Sequence, residues 1–247
     1  MAMTRDQKWD VLERDDPVVL EIGSQMGIDT REFLDEFPSI SIYCFEPDPR
    51  CITEFKKSIS DDRCILIEAA VSNRDGKTML NLSAGWKVKV PQILKNLGLK
   101  KLCTLALLKY RKMRGTDRNS TGQSSICRVI SHSKKYPWLS FNKSIEVTTI
   151  KLDTWIKKSG LNAVDIMWVD VQGAERLVIE GAANTLRMVK YLQIEYGETS
   201  AYPDAMTRKE TIELLSGYGF EVAPEYSDTR QRGDLLFVNA GASDHRH

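Results

Sequence analysis

Short apolar runs alternate along most of this chain with stretches whose apolar residues recur every three or four positions. Val18–Ile22 (VVLEI), opened by Pro17, has the pattern of a strand buried on both faces. From residue 29 to 37 the apolar residues Phe33, Leu34 and Phe37 fall at helical spacing, and Pro38 ends the run. Residues 40–47 (ISIYCFEP) read as a second strand, and residues 49–59 as a helix with Ile52, Phe55 and Ile59 on one face. A third strand follows at 64–71 (CILIEAAV) and a shorter one at 76–83 (GKTMLNLS). Residues 164–173 (VDIMWVDVQG) form another buried strand, leading into a helix that turns Leu177, Val178, Ala182 and Leu186 inward. YLQIEYG, at 191–197, is the next strand. Thr207 and Glu210 have the spacing of a capping box for a helix running to Ser216. FEVAPEY and DLLFVNA, joined by the turn-rich SDTRQRG, close the chain as an antiparallel hairpin.

Strands alternating with helices at this spacing predict an α/β fold with a doubly wound, mostly parallel sheet. In such sheets ligands collect at the carboxyl ends of the strands, near the switch point. That directs attention to residues 21–27, Glu46, 68–71, 170–175 and 195–198. The alternation breaks between residues 85 and 118, where ten lysines and arginines face a single acid, Asp117. Ile93, Leu94, Leu97, Leu102, Leu105 and Leu108 give this window a roughly helical apolar stripe. The expectation is one domain spanning residues 1–247 with a helical, basic, lid-like insertion at 85–140. That insertion is either a landing surface for an anionic membrane or acceptor, or an amphipathic helix packed on the domain. Trp86 and Tyr110 are too few aromatics to favour nucleic acid.

Composition narrows the setting. Over 247 residues the formal net charge is +1, so no global field draws the molecule to nucleic acid. Five cysteines, dispersed and without a Cys-x-x-Cys pair, fit a reducing compartment better than a disulfide framework or a structural zinc site. The first residues lack the apolar core of a signal peptide, and no run has the length of a membrane span. The expectation is a cytoplasmic protein, with peripheral membrane contact through 85–118 as the variant.

The first turn, Glu21-Ile22-Gly23-Ser24-Gln25-Met26-Gly27, discriminates between cofactors. A dinucleotide fingerprint needs Gly-x-Gly-x-x-Gly so that backbone can crowd against a pyrophosphate. Here Ser24 and Gln25 occupy the tightest part of the turn, which counts against a nicotinamide oxidoreductase. An acid and polar backbone suit the amino-acid end and sulfonium of S-adenosylmethionine. Glu46, about 25 residues on, is placed to accept both ribose hydroxyls of an adenosine cofactor. Glu68-Ala69-Ala70-Val71 offers small residues to flank adenine.

With those residues in place the chain resembles the FkbM family of S-adenosylmethionine-dependent methyltransferases over nearly its whole length. LEIGSQMGIDT stands at the family's glycine turn that ends in threonine, here Thr30. CFEPDP matches its Phe-Glu-Pro element (Glu46, Pro47), TGQSSI its Ser-Ser loop, and VTTIKLDTWI its approach to the following helix. DIMWVDVQGAERLVIEGAANTL, followed by YLQIEYG, is the most specific piece. Glu21 replaces the commoner aspartate, and Ser24-Gln25 the commoner Ala-Asn. The resemblance implies a seven-stranded Rossmann-like sheet. It also implies O-methylation of a hydroxyl on a sugar, glycolipid or secondary metabolite, N-methylation of an amide or peptide being the alternative. It implies cofactor contacts from Glu21, Gly23, Ser24, Gln25, Gly27, Thr30, Glu46, Pro47, Ala69, Ala70, Ser125, Asp170 and Gln172.

A hydroxyl is a poor nucleophile at neutral pH, so a base near the acceptor is expected. Asp170 ends a strand at the sheet's carboxyl edge and is the first choice. Glu195 ends the next strand and pairs with it, either sharing a proton or holding a Mg²⁺ ion. Glu175 is either a third catalytic acid or a residue placed for the helix dipole. His132 has the pKa class of a general base, and otherwise reads as a surface histidine among lysines.

Overall fold

The computed structural model describes residues 12, 15–85, 121–131, 133, 139–197, 201–223 and 232–241. Its chain order begins β1 (Val18–Ile22), α1 (Ile28–Glu36), β2 (Ser41–Phe45), α2 (Pro49–Ser58) and β3 (Cys64–Ile67). A two-residue β4 (Ala70–Val71) and a long β5 (Gly76–Gly85) follow. After residue 120 come a 3-10 turn (Thr121–Gln123), β6 (Leu139–Ile150), α3 (Leu152–Ser159), β7 (Val164–Val169) and the short α4 (Glu175–Glu180). The described chain closes with β8 (Val189–Gly197), α5 (Arg208–Ser216), β9 (Phe220–Val222) and β10 (Arg232–Asn239).

Seven strands form the main sheet in the order β3-β2-β1-β7-β8-β10-β9. The first five are parallel, β10 runs antiparallel to β8, and β9 pairs antiparallel with β10. The doubly wound sheet and the C-terminal hairpin are as the hydrophobic pattern predicts. Strand alternation sorts β1 between two cores. Val18, Leu20 and Ile22 pack with Leu152, Val178 and Leu215 of α3, α4 and α5. Val19 packs with Phe33, Leu34 and Phe55 of α1 and α2. Every residue of β1 and β7 is buried, which explains their mostly apolar character, interrupted by Glu21 in β1 and Asp165 in β7. Thr207 and Glu210 form the predicted capping box at α5.

A second, three-stranded sheet, β4-β6-β5, stands apart from the first. Its longest strand, β6, covers twelve residues and is not anticipated by the pattern. The middle of β6, Asn142-Lys143-Ser144, is exposed, so neither a period-two nor an all-apolar signature marks it. The third strand also proves to be two. It breaks after Ile67 and resumes at Ala70, where the chain leaves the main sheet to pair with β6. The basic window at 86–118 lies outside the described residues. On its far flank, 121–131 form the 3-10 turn and a loop bridged to β5 through Asn81 and Ser125. No helix of the described chain is long and apolar enough to cross a membrane.

The register across the main sheet sets the positions of the side chains at its carboxyl edge. Ile22 lies opposite both Phe45 of β2 and Val169 of β7, and Val169 lies opposite Ile194 of β8. One residue further on, Glu46, Gly23, Asp170 and Glu195 therefore fall on a single line. Asp234 of β10, directly opposite Glu195, extends it.

Candidate active site

The turn after β1 is strapped to its neighbours by main-chain hydrogen bonds. Gly23 and Ser24 donate to the Phe45 carbonyl at 2.9 and 3.2 Å, and Asp170 N–H donates to the Ile22 carbonyl at 3.0 Å. Gly23 has φ 95°, and a Cβ there would overlap the Asp170 carbonyl oxygen. Glycine is therefore required for β1 and β7 to approach this closely. Two residues later Gln25 takes a left-handed conformation, φ 52°, and aims its N–H at Glu46 Oε2, 2.9 Å away.

The ends of β1, β2 and β7 enclose a crevice of about 630 Å³ of empty space, part of it open to solvent. Gly23, Gln25, Glu46 and Pro47 form one wall. Asp170, Val171 and Gln172 form another, and Ala69, Ala70, Val71 and Leu80 give an apolar side. Among the described residues that line it, Glu46 and Asp170 are acidic and none is basic. The Glu46 carboxylate is buried and accepts N–H bonds from Gln25 and Asp48, the latter at 2.7 Å. Burial pushes its pKa up to about 8, with the charge of Asp48 adding and the two amides pulling the other way.

The crevice is roofed by the segment 121–126, and side chains hold that roof in place. Ser124 Oγ lies 3.0 Å from Asp48 Oδ2, to which it donates, and it accepts from the Ser83 N–H at 3.1 Å. Arg50 joins the Asp48 carboxylate, Ser124 Oγ and the Ser83 carbonyl. Burial works against the Asp48 carboxylate, but the bonds from Arg50 outweigh it and hold the acid below its ordinary range. Ser125 exchanges two main-chain bonds with Asn81, and Tyr202 donates to the Gln123 carbonyl at 2.6 Å. Gly122 presses against the Gln25 amide so closely that a Cβ would overlap it.

At the β7 end, Gln172 bridges two acids. Its Nε2 donates to Asp170 Oδ1 at 2.5 Å and to Glu195 Oε2 at 3.1 Å. Asp170 is exposed at the wall of the crevice, and the protein packed around it partly desolvates its carboxylate. That desolvation, followed by the charges of Glu195 and Glu175, raises its pKa well above the carboxylate range. Glu175 is buried and folds back to accept from the N–H groups of Gly173 and Val171 at 3.1 and 3.4 Å, and burial pushes its pKa up to about 7. Glu175 and Glu195 line a smaller recess with Gly173, Tyr196 and Tyr202, with about 220 Å³ of empty space, part of it open to solvent.

The crevice thus gathers Gly23, Gln25, Glu46, Pro47, Ala69, Ala70, Ser125, Asp170 and Gln172 from the residues singled out by sequence. Glu21, Ser24, Gly27 and Thr30 do not line it. Glu21 shares the strand face of Val19, so its carboxylate is buried toward α1, where Thr30 Oγ1 donates to it at 2.5 Å. Ser24 is buried with its hydroxyl unpartnered, and Gly27 caps α1. Ser125 lines the crevice, and its Oγ accepts from Cys127 N–H. His132 lies outside the described residues. Among those described, no group of three or more His, Cys, Asp or Glu side chains is arranged to hold a metal ion. Between Asp170 and Glu195, where a cation was an option, stands the Gln172 amide. Sequence reasoning missed Arg50, Asp48, Tyr202 and Asp234. Only the Asp-Pro-Arg spacing at 48–50, an N-cap followed by proline, hinted at the first two.

Comparison with known proteins agrees with this architecture. The family model for the methyltransferase FkbM domain matches residues 21–222. The 2-O-methyltransferase NoeI of Sinorhizobium fredii is 30% identical over 230 residues, covering 93% of this chain and 82% of NoeI. The crystal structure of the methyltransferase FkbM from Methylobacillus flagellatus superposes with a TM-score of 0.50 at 9% identity. That alignment covers 93% of this chain, which spans 45% of the Methylobacillus protein. The chain therefore belongs to the FkbM family of S-adenosylmethionine-dependent methyltransferases.

Proposed function

We propose that this chain moves a methyl group from S-adenosylmethionine to a hydroxyl of a sugar, glycolipid or related metabolite, with Asp170 taking the hydroxyl proton. The observation that carries the reading is the charge of the crevice. Its described walls hold two carboxylates and no basic side chain, which disfavours linked phosphates and suits a cationic adenosine cofactor. The name of NoeI, a 2-O-methyltransferase, supports transfer to oxygen.

The donor set fits the cofactor. Each Glu46 oxygen accepts one main-chain N–H and retains a lone pair for a ribose hydroxyl. Ala69, Ala70, Val71 and Leu80 give adenine an apolar wall, and the Gly23–Gln25 turn receives the amino-acid end. When bound, the cofactor supplies a methyl carbon already activated by its sulfonium. The chain's own task is to orient the acceptor oxygen, exclude water beneath the 121–126 roof and accept a proton at the Asp170 carboxylate. Calorimetry with S-adenosylmethionine, S-adenosylhomocysteine and NADH tests the cofactor. The first two are expected to bind and the third not to, and saturable NADH binding without the other two would overturn the reading. A labelled-methyl screen against hydroxylated and aminated acceptors then distinguishes transfer to oxygen from transfer to nitrogen.

A further inference from the structure

Among the described residues only Gln25 and Gln172 have positive φ without being glycine, at 52° and 54°, and both line the crevice. Left-handed backbone is costly for a residue with a Cβ, and such strain concentrates where a side chain must point in one direction. At Gln172 two further costs accompany it. The side chain is 7% exposed, so its rotamers are frozen, and its Oε1 is buried without a partner. A primary amide nitrogen carries two hydrogens. Here one is directed at Asp170 and the other at Glu195, so the donor end of the side chain is fully committed to the two acids.

We propose that Gln172 is the positioning residue of the reaction: its amide clamps Asp170 and Glu195 into one coupled pair, with Asp170 facing the crevice as the group that takes the acceptor's proton. This rests on the reading of Asp170 as proton acceptor given above. In the step, the acceptor O–H bond breaks and its proton goes to the ionised Asp170 carboxylate. The acceptor oxygen bonds to the methyl carbon, and the electron pair of the broken carbon–sulfur bond stays with sulfur. The pair, now holding the proton, returns it to water through the open crevice. Raising the affinity of a carboxylate for its last proton makes it the stronger base once that proton has left. Glu195 does this by repulsion, while Gln172 tempers the effect by donating to both acids and fixes where Asp170 points.

Other groups act on the pair. Glu175 approaches from the first turn of α4, Asp234 lies opposite Glu195 on β10, and Glu46 stands across the crevice. No described residue lining either cavity is basic. The described surroundings of the pair are therefore acidic.

The experiment combines carboxyl ¹³C NMR titration of the free protein with pH–rate profiles for wild type, Gln172→Met, Gln172→Gly and Glu195→Gln. Wild type is expected to show an Asp170 carboxyl transition well above the ordinary range and a kcat that rises through it. Gln172→Met removes the shared donor, so that transition and the rising limb move to higher pH. Gln172→Gly does the same while relieving the backbone, which guards against a result that merely reflects misfolding. Glu195→Gln removes the repelling charge, so both move to lower pH. For the Gln172 variants kcat falls ~10- to 100-fold while the Kd of S-adenosylhomocysteine changes by less than about threefold. An Asp170 transition unmoved in Glu195→Gln, or a lower kcat with an unmoved limb in a folded Gln172 variant, overturns the proposal and leaves Asp170 as the base. Failure of wild type to bind S-adenosylhomocysteine overturns the cofactor reading and the proton step with it, whatever the NMR titration gives.

Discussion

Glu46 offers the sharpest test of the proposed cofactor site: if it holds the ribose, its burial ties affinity to pH. The acid sits between two main-chain donors with a pKa raised from 4.5 to about 8. Ribose hydroxyls donate best to the ionised form, so binding is coupled to loss of that proton. If only ionised Glu46 binds well, the apparent Kd is the alkaline value divided by the ionised fraction. Affinity is then roughly twofold weaker at pH 8, about elevenfold weaker at pH 7 and about a hundredfold weaker at pH 6. S-adenosylmethionine has an amino group that titrates in the same window. The ligand for the measurement is therefore 5′-methylthioadenosine, which keeps the diol and lacks the amino acid. Isothermal calorimetry in buffers of different ionisation enthalpy counts the protons released, approaching one per ligand below pH 7. Glu46→Gln keeps the shape but has a single oxygen, so its NH₂ group must face either the Gln25 or the Asp48 N–H. It should weaken binding by about 2–4 kcal/mol, on the order of 30- to 1,000-fold, and flatten the pH dependence. A wild-type Kd constant between pH 6 and 9, or a Glu46→Gln variant with unchanged affinity, would refute the assignment.

Asp170→Asn should lower kcat by roughly 10²- to 10⁴-fold and leave S-adenosylhomocysteine affinity within a few-fold, as a labelled-methyl assay beside calorimetry would show. Gly23→Ala forces a methyl group into the Asp170 carbonyl at a φ of 95°, and scanning calorimetry should find it destabilised by at least ~2 kcal/mol. Ser124→Ala frees the roof from Asp48 and Ser83, and stopped-flow should detect faster cofactor dissociation with little change in association. Glu46 also links pH to folding. Its folded-state pKa is raised, so its contribution to stability is complete below about 4.5 and is lost as pH rises through about 8. The melting temperature of ligand-free wild type, relative to Glu46→Gln, should therefore fall between pH 6 and 9.

Most strands of the main sheet were legible because burial on both faces leaves a mostly apolar run, interrupted by one acid each in β1 and β7. The carboxyl-edge position of Glu46 and Asp170 followed from that reading. Glu21 shows where it stopped. It is adjacent in sequence to the crevice, but side chains on a strand alternate between faces. Counting from Val19, a core residue on the α1 side, would have directed Glu21 toward α1 and Thr30. β6 escaped because its exposed centre hides the pattern, and with it went the second sheet. The acids that meet Gln172 were legible one by one. Their common amide was not, because nothing in local sequence shows that Glu195, 23 residues on, shares a donor with Asp170.

The alignment of Glu46, Gly23, Asp170, Glu195 and Asp234 makes the sheet edge a ruler whose divisions are the strands themselves. Neighbouring strands stand about 4.8 Å apart whatever their loops do, so reacting groups on successive strands keep their spacing as connecting segments lengthen or shorten. Residues 86–138 join β5 to β6, both in the smaller sheet. Residues 86–120 of that connection can be rewritten without moving a mark on the ruler, whereas a single-residue slip in β7 would take Asp170 off the line.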